Sequence, residues 1–259
     1  MTDWTPAPDL LKDRVILVTG AGDGIGKACA TAFAAHGATL VLLGRTTRKL
    51  ELVYDEIEQA GHPQPAIYPM NLEGASAKDY EDLATTLEQE FGRLDGLLHN
   101  AAMLGTLTPI VHYDVELWLK SIQVNLHAPF LLTRACLGLL TASDDASVLF
   151  SADRVGRHGK AYWGAYGVAK AGIEGLMQTL ADELETNTRV RVNSLDPGAV
   201  RTAMRALAYP GEDPGLLPMP ADVVKPYLYL MSAESQGKTG QQFMAQGTTG
   251  LPWQSQLRE

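Results

Sequence analysis

The chain has 259 residues, 46% of them hydrophobic, and its 21 basic and 30 acidic side chains leave a net charge of −9. That charge repels phosphate backbones and anionic lipid, so neither nucleic acid nor a membrane surface is an expected partner. The start MTDWTPAPDLLKDR carries acids and prolines in place of a basic, apolar leader, no apolar run approaches spanning length, and Cys29 and Cys136 sit in apolar helical patterns, so a soluble protein of the reducing cytoplasm is expected.

Short β-rich runs alternate with longer helical patterns along the whole chain. RVILVTG precedes a helix through KACATAFAAHG, ATLVLLG precedes one through RKLELVYDEIEQAG, and PAIYPM precedes one over about 76–91. LDGLLHN then leads into a long helix over about 115–140, SVLFS into another over about 162–186, and RVRVNSL into a Pro- and Gly-rich segment, 203–220, that reads as a functional loop with one short helix. A last helix over about 221–232 precedes a short strand near QQFMA. Such alternation means βαβ units. The strands are apolar enough to be covered on both faces, so residues 1–259 are expected to form one α/β domain, a doubly wound parallel sheet of about seven strands with helices on both sides.

The first strand runs into TGAGDGIGKACA, which places Gly20, Gly22, Gly24 and Gly26 directly before a helix. Glycines there let the backbone approach a pyrophosphate, and the free amides and helix dipole face the anion; a ligand-free turn would have the same composition. The second strand ends LVLLGRTTRKL, where Gly44 stands in the place of a ribose-binding acid and Arg45 follows, which favours NADP(H) over NAD(H). Asp23 argues the other way by putting a negative charge in the glycine loop, and Arg45 and Arg48 can equally be solvated residues at a helix start. Tyr166 and Lys170 are spaced i, i+4 on a predicted helix and share a face; a neighbouring ammonium favours the phenolate and lowers a tyrosine from about 10 towards the working range. No metal site is expected.

In order and spacing, TGAGDGIG, HNAA at 99–102, VNLHAPF at 124–130, YGVAK at 166–170 and DPGAVRT at 196–202 resemble the short-chain dehydrogenase/reductases, over about Arg14 to Gly247. The chain is most similar in look to bacterial 3-oxoacyl-ACP-reductase-like oxidoreductases of uncertain substrate. The resemblance implies a Rossmann-type fold and hydride transfer between a nicotinamide and a small carbonyl or alcohol substrate. It implies that Gly20, Gly24, Ile25 and Gly26 form the pyrophosphate turn, that Arg45 meets a 2′-phosphate, and that Asn71 lies near the adenine. Asn100 would lie beside the cofactor, Thr202, after the Pro197-Gly198 turn, would hold the nicotinamide amide, and Lys170 would bind the ribose. Tyr166 would be the acid/base, and Asn125 would hold a water in the proton relay. A homodimer or homotetramer built on the two long helices is also implied. Met103, Leu104, Trp163 and Met204 would line an apolar pocket. HNAA in place of the frequent NNAG, and FMAQGTTG in place of a VDGG-like segment, depart from the family pattern.

The larger departure is Asp153. The family places a catalytic Ser thirteen residues before the Tyr and three before a Gly; counting from Tyr166 and Gly156 gives an aspartate. Ser151 is no substitute, because two residues along a strand is about 6.6 Å. An ionised Asp only accepts hydrogen bonds, puts negative charge where carbonyl reduction develops it, and opposes Lys170. Two escapes are open: a neutral acid that donates as Ser does, or pairing with Arg154, Arg157 or His158. Three readings follow: an active carbonyl reductase or alcohol dehydrogenase tuned by Asp153, a cofactor-binding protein with little turnover acting as a redox sensor or interaction partner, and an enzyme whose Asp153 contacts a basic group on its substrate.

Overall fold

The computed structural model describes residues 4–246. They form one seven-stranded, wholly parallel sheet: β1 (Val15–Thr19), β2 (Thr39–Gly44), β3 (Ala66–Pro69), β4 (Gly96–His99), β5 (Ser147–Ser151), β6 (Arg191–Asp196) and β7 (Gln242–Met244), in the order β3-β2-β1-β4-β5-β6-β7. The strands are short, the central β1, β4, β5 and β6 are entirely buried, and their side chains alternate between two cores. Leu17, Leu97, Val148, Phe150 and Val192 face helices α3 (Ala77–Phe91), α5 (Ala128–Thr141) and α7 (Gly164–Glu185). Ile16, Val18, Leu98, Leu149 and Leu195 face α1 (Gly24–Ala35), α2 (Thr47–Gln59) and α9 (Lys225–Met231). Both cysteines are buried in these cores as free thiols.

Helix starts follow local chemistry. Ser76 and Asp79 close a capping box on α3, and the Asp114 carboxylate accepts from the Leu117 amide at 2.7 Å at the start of α4 (Val115–Ile122). The helix expected to run unbroken over 115–140 is interrupted. A π-helical turn, Gln123–His127, joins α4 to α5, because Pro129 has no N–H to continue the α-helical ladder back to residue 125. The helix expected over 221–232 likewise begins as a 3-10 turn, Pro220–Val223, before α9. Within 203–220 lie α8 (Ala203–Ala208) and a 3-10 turn, Pro214–Leu216. The GTTG half of FMAQGTTG lies outside the described residues. No helix of the described residues is long and apolar enough to cross a membrane.

Strand order reverses direction between β1 and β4, and in open parallel sheets the crevice beyond that switch point is where ligands bind. Every motif singled out above falls at this C-terminal edge.

Candidate active site

A cleft of about 710 Å³ opens there, lined from one end to the other by the glycine loop, the turn after β2, the ends of β4 to β6, the start of α7, and α8. Gly20 and Gly24 hold positive φ (68° and 53°), which favours glycine. Gly26 is required by space: a Cβ there would collide with the Gly20 carbonyl and the Asn100 side chain. The Asn100 amide nitrogen in turn reaches the Thr19 carbonyl at 3.3 Å, and its backbone N–H donates to the Thr19 hydroxyl at 3.0 Å, which ties the end of β4 to the end of β1. The result is a backbone cradle at the N-terminus of α1 that side chains cannot fill.

The charge of Asp23 is answered by a residue the sequence reading passed over. Lys49, from the first turn of α2, reaches the Asp23 carboxylate at 2.5 Å, while its other oxygen accepts from Gly24 N–H at 2.7 Å. The ion pair and this bond hold the Asp23 carboxyl below its usual range. Arg45 is exposed, lines the cleft and makes no ion pair among the described residues, whereas Arg48 does not line it. Asn71 also lines this end, its side-chain oxygen accepting from Glu73 N–H at 3.3 Å.

At the other end, Tyr166 and Lys170 are both buried on α7. The Lys170 ammonium lies 5.6 Å from the Tyr166 ring centroid and donates to the Ser151 carbonyl at 2.6 Å, so Ser151 serves the site through its backbone. The Tyr166 hydroxyl donates to Asp153 at 3.0 Å. The other oxygen of Asp153 accepts from Val155 N–H at 3.0 Å and caps the short helix α6 (Arg154–Arg157). Pairing of Asp153 with Arg154, Arg157 or His158 does not occur: Arg157 is bound to Glu174 at 2.8 Å, and Arg154 and His158 are exposed. Gly156 lies against α7 so closely that a Cβ would stand 2.6 Å from the Lys170 carbonyl carbon.

The electrostatics reverse one expectation. The i, i+4 spacing alone predicts a lowered tyrosine, but burial first, and then the Asp153 charge and hydrogen bond, push the Tyr166 hydroxyl well above its ordinary value. Burial lowers Lys170, with Asp153, Asp196 and Glu174 pulling it back up. Burial also raises Asp196, against the bond it accepts from Gly198 N–H at 2.8 Å.

Asn125 is tied down by its side chain. Its oxygen accepts from Met103 N–H at 2.9 Å, and its amide nitrogen donates to the Met103 and Ser121 carbonyls at 2.7 and 2.8 Å. Its side chain is therefore committed to the cleft wall. The wall itself is apolar: Leu104, Val155, Trp163 and Tyr166 form one cluster, with Met204 and Tyr209 packed on it, and Met103 also lines the cleft. Thr202 lines the cleft while its hydroxyl accepts from Arg205 N–H at 3.1 Å to cap α8. Gln246, which sequence reasoning did not single out, donates to the carbonyls of Pro197 and Ala199 at 2.7 and 2.9 Å and so fixes the Gly198 turn, where φ is 72°.

Comparison with known proteins decides the family. The model of the short chain dehydrogenases matches residues 14–213. This chain belongs to the short-chain dehydrogenases. It is 46% identical over 243 residues to the uncharacterized oxidoreductase YciK of Escherichia coli, covering 94% of this chain and 96% of the relative. A solved structure from Pseudomonas syringae assigned to the short chain dehydrogenases is 56% identical with a TM-score of 0.93, covering 95% of this chain and 100% of that one. Another, from Escherichia coli CFT073 and complexed with NADPH, is 47% identical with a TM-score of 0.90, covering 93% and 100%.

Proposed function

We propose that the chain is an NADP(H)-dependent oxidoreductase acting between a CH–OH and a C=O carbon, with Tyr166 as acid/base. One observation carries the reading: a side-chain-free phosphate cradle and a buried Tyr-Lys pair open onto the same cleft, at the switch point of the sheet. The cradle fits a dinucleotide, which supplies or accepts a hydride when bound. In this reading the amides of the Gly20 to Gly26 turn, Ile25 included, hold the pyrophosphate, Arg45 the 2′-phosphate and Asn71 the adenine end. Asn100 and Lys170 border the nicotinamide ribose, Pro197, Gly198 and Thr202 its amide, and residues 203–220 close over the substrate. The NADPH complex of the relative at 47% identity supports the cofactor.

Asp153 bears on the chemistry. A carboxylate that accepts a hydrogen bond from Tyr166 holds the proton on the phenol, and its charge opposes the negative charge that develops on the reacting oxygen during carbonyl reduction. The same hydrogen bond favours a second reading, a cofactor-binding protein with little turnover that senses redox state or engages a partner. NADPH consumption with a panel of small ketones and diketones separates the two. On the first reading the wild type turns over, Tyr166→Phe loses about 10²- to 10⁴-fold and Asp153→Ser gains. A wild type that binds NADPH yet leaves the whole panel untouched supports the second.

The exposure of Val115 and Leu119 on α4, Phe130 on α5 and Val168 on α7 supports pairing between copies, as a homodimer or homotetramer.

A further inference from the structure

We propose that the pocket beside Asp153 takes substrates with a protonated nitrogen at the reacting carbon, so that cyclic iminium ions are reduced better than ketones of the same shape; this rests on the oxidoreductase reading above. The carboxylate is the starting point. It is half-buried, one hydrogen bond from the Tyr166 hydroxyl, and makes no ion pair among the described residues. Two basic groups near it are paired elsewhere, Arg157 with Glu174 and Arg205 with both oxygens of Glu212 at 2.6 Å, while Lys170 donates to the Ser151 carbonyl and makes no ion pair with Asp153, whose charge it feels only across the site. A cleft that leaves one carboxylate without an ion-pair contact, at the point where a substrate heteroatom must lie, is complementary to a cation.

The walls agree. Trp163 and Tyr209 stand with centroids 5.9 Å apart and present aromatic faces, and such faces attract cations. They do so here already: Lys160 lies 5.9 and 5.3 Å from the two centroids, and the Arg205 guanidinium 3.8 Å from that of Tyr209.

The charge balance of the reaction separates the two substrate classes. Hydride addition to a ketone creates an alkoxide, which a neighbouring carboxylate opposes. Hydride addition to an iminium ion consumes positive charge, and the transition state keeps part of it, so the same carboxylate stabilises that transition state relative to free substrate. The imine takes its proton from water before binding. The hydride and its electron pair leave a reduced nicotinamide and form the new C–H bond, the C=N π pair becomes the nitrogen lone pair, and the products are an amine and oxidised nicotinamide.

Two measurements test this. Calorimetric titration with 1,2,3,4-tetrahydroisoquinoline hydrochloride and with neutral isochroman reads binding without turnover. The ammonium should bind at least tenfold more tightly to the wild type, and Asp153→Asn, which keeps the cap on α6, should reduce the preference to within threefold. NADPH oxidation with 3,4-dihydroisoquinoline and 1-tetralone should favour the imine at least tenfold in kcat/KM, and Asp153→Ser should shift the ratio towards the ketone. Equal binding of amine and ether, or an amine preference that survives Asp153→Asn, overturns the proposal. A wild type that prefers the ketone overturns it and leaves the oxidoreductase reading standing. Inertness towards both substrates in the wild type and in Asp153→Ser overturns both.

Discussion

The N-terminal edge of the sheet closes its carboxylates with ion pairs, and the C-terminal edge leaves Asp153 without one. At the first, Asp145 takes both Arg14, at 2.8 Å, and Arg191, while Asp95 accepts from Val15 N–H at 2.8 Å, the Ser143 hydroxyl at 2.6 Å and Arg93 at 3.2 Å. At the second, a strand's length or about 16 Å away, Asp153 has a tyrosine hydroxyl and a backbone amide. The same residue type is a structural tie at one edge and an unspent charge at the other. The difference lies in the partners, and it teaches that an acid is read by what remains to be satisfied around it.

If that contrast holds, breaking the closed edge costs stability and spares the cleft. Asp145→Ala leaves two largely buried guanidiniums without their carboxylate and should cost about 3 kcal/mol in urea unfolding, with NADPH affinity within twofold of wild type. An equal loss of affinity would join the two edges and end the distinction. A smaller effect comes from His99, buried at the end of β4 against Thr133 at 2.7 Å and pushed down to about 3 by burial and by Lys170. The unfolded chain takes this proton near pH 6.5 and the folded chain only near 3, so stability falls as pH drops through 6.5. About 2 kcal/mol should be lost from this group between pH 7 and 5, and His99→Asn should remove that part of the slope.

Two weaker substitutions probe the rims of the cleft. Gln246→Ala frees the Pro197 and Ala199 carbonyls and should cost about 1 kcal/mol, with about a fivefold loss of NADPH affinity as the Gly198 turn loosens. Lys49→Ala removes an exposed pair; the change in stability should stay below about 0.5 kcal/mol, while Asp23, now uncompensated, weakens NADPH about threefold. A loss of stability larger than that of Gln246→Ala would mean Lys49 holds the fold and not the cofactor end.

Much of this was legible in the residues because it is local. The Gly20 to Gly26 turn, the i, i+4 pair of Tyr166 and Lys170, and the aspartate thirteen places before that tyrosine can be counted without a structure. So can the strands, whose apolar runs leave only a buried parallel sheet. What escaped is nonlocal. Lys49 meets Asp23 across two elements, Arg157 is taken by Glu174 on another helix, and Gln246 reaches back nearly fifty residues to its turn. The upward push on Tyr166 depends on burial, which spacing does not report. The π-turn had a signal in Pro129, set inside a helical pattern where its missing N–H forbids the regular ladder.

The contact between Gly156 and Lys170 has a mechanical consequence. With no room for even one carbon between them, the segment carrying the acid is packed directly on the helix carrying the tyrosine. The site has a switch with two settings, carboxylate or hydroxyl, where a looser fold would have a dial. A change of chemistry at position 153 then needs a single substitution and no rearrangement of the backbone around it.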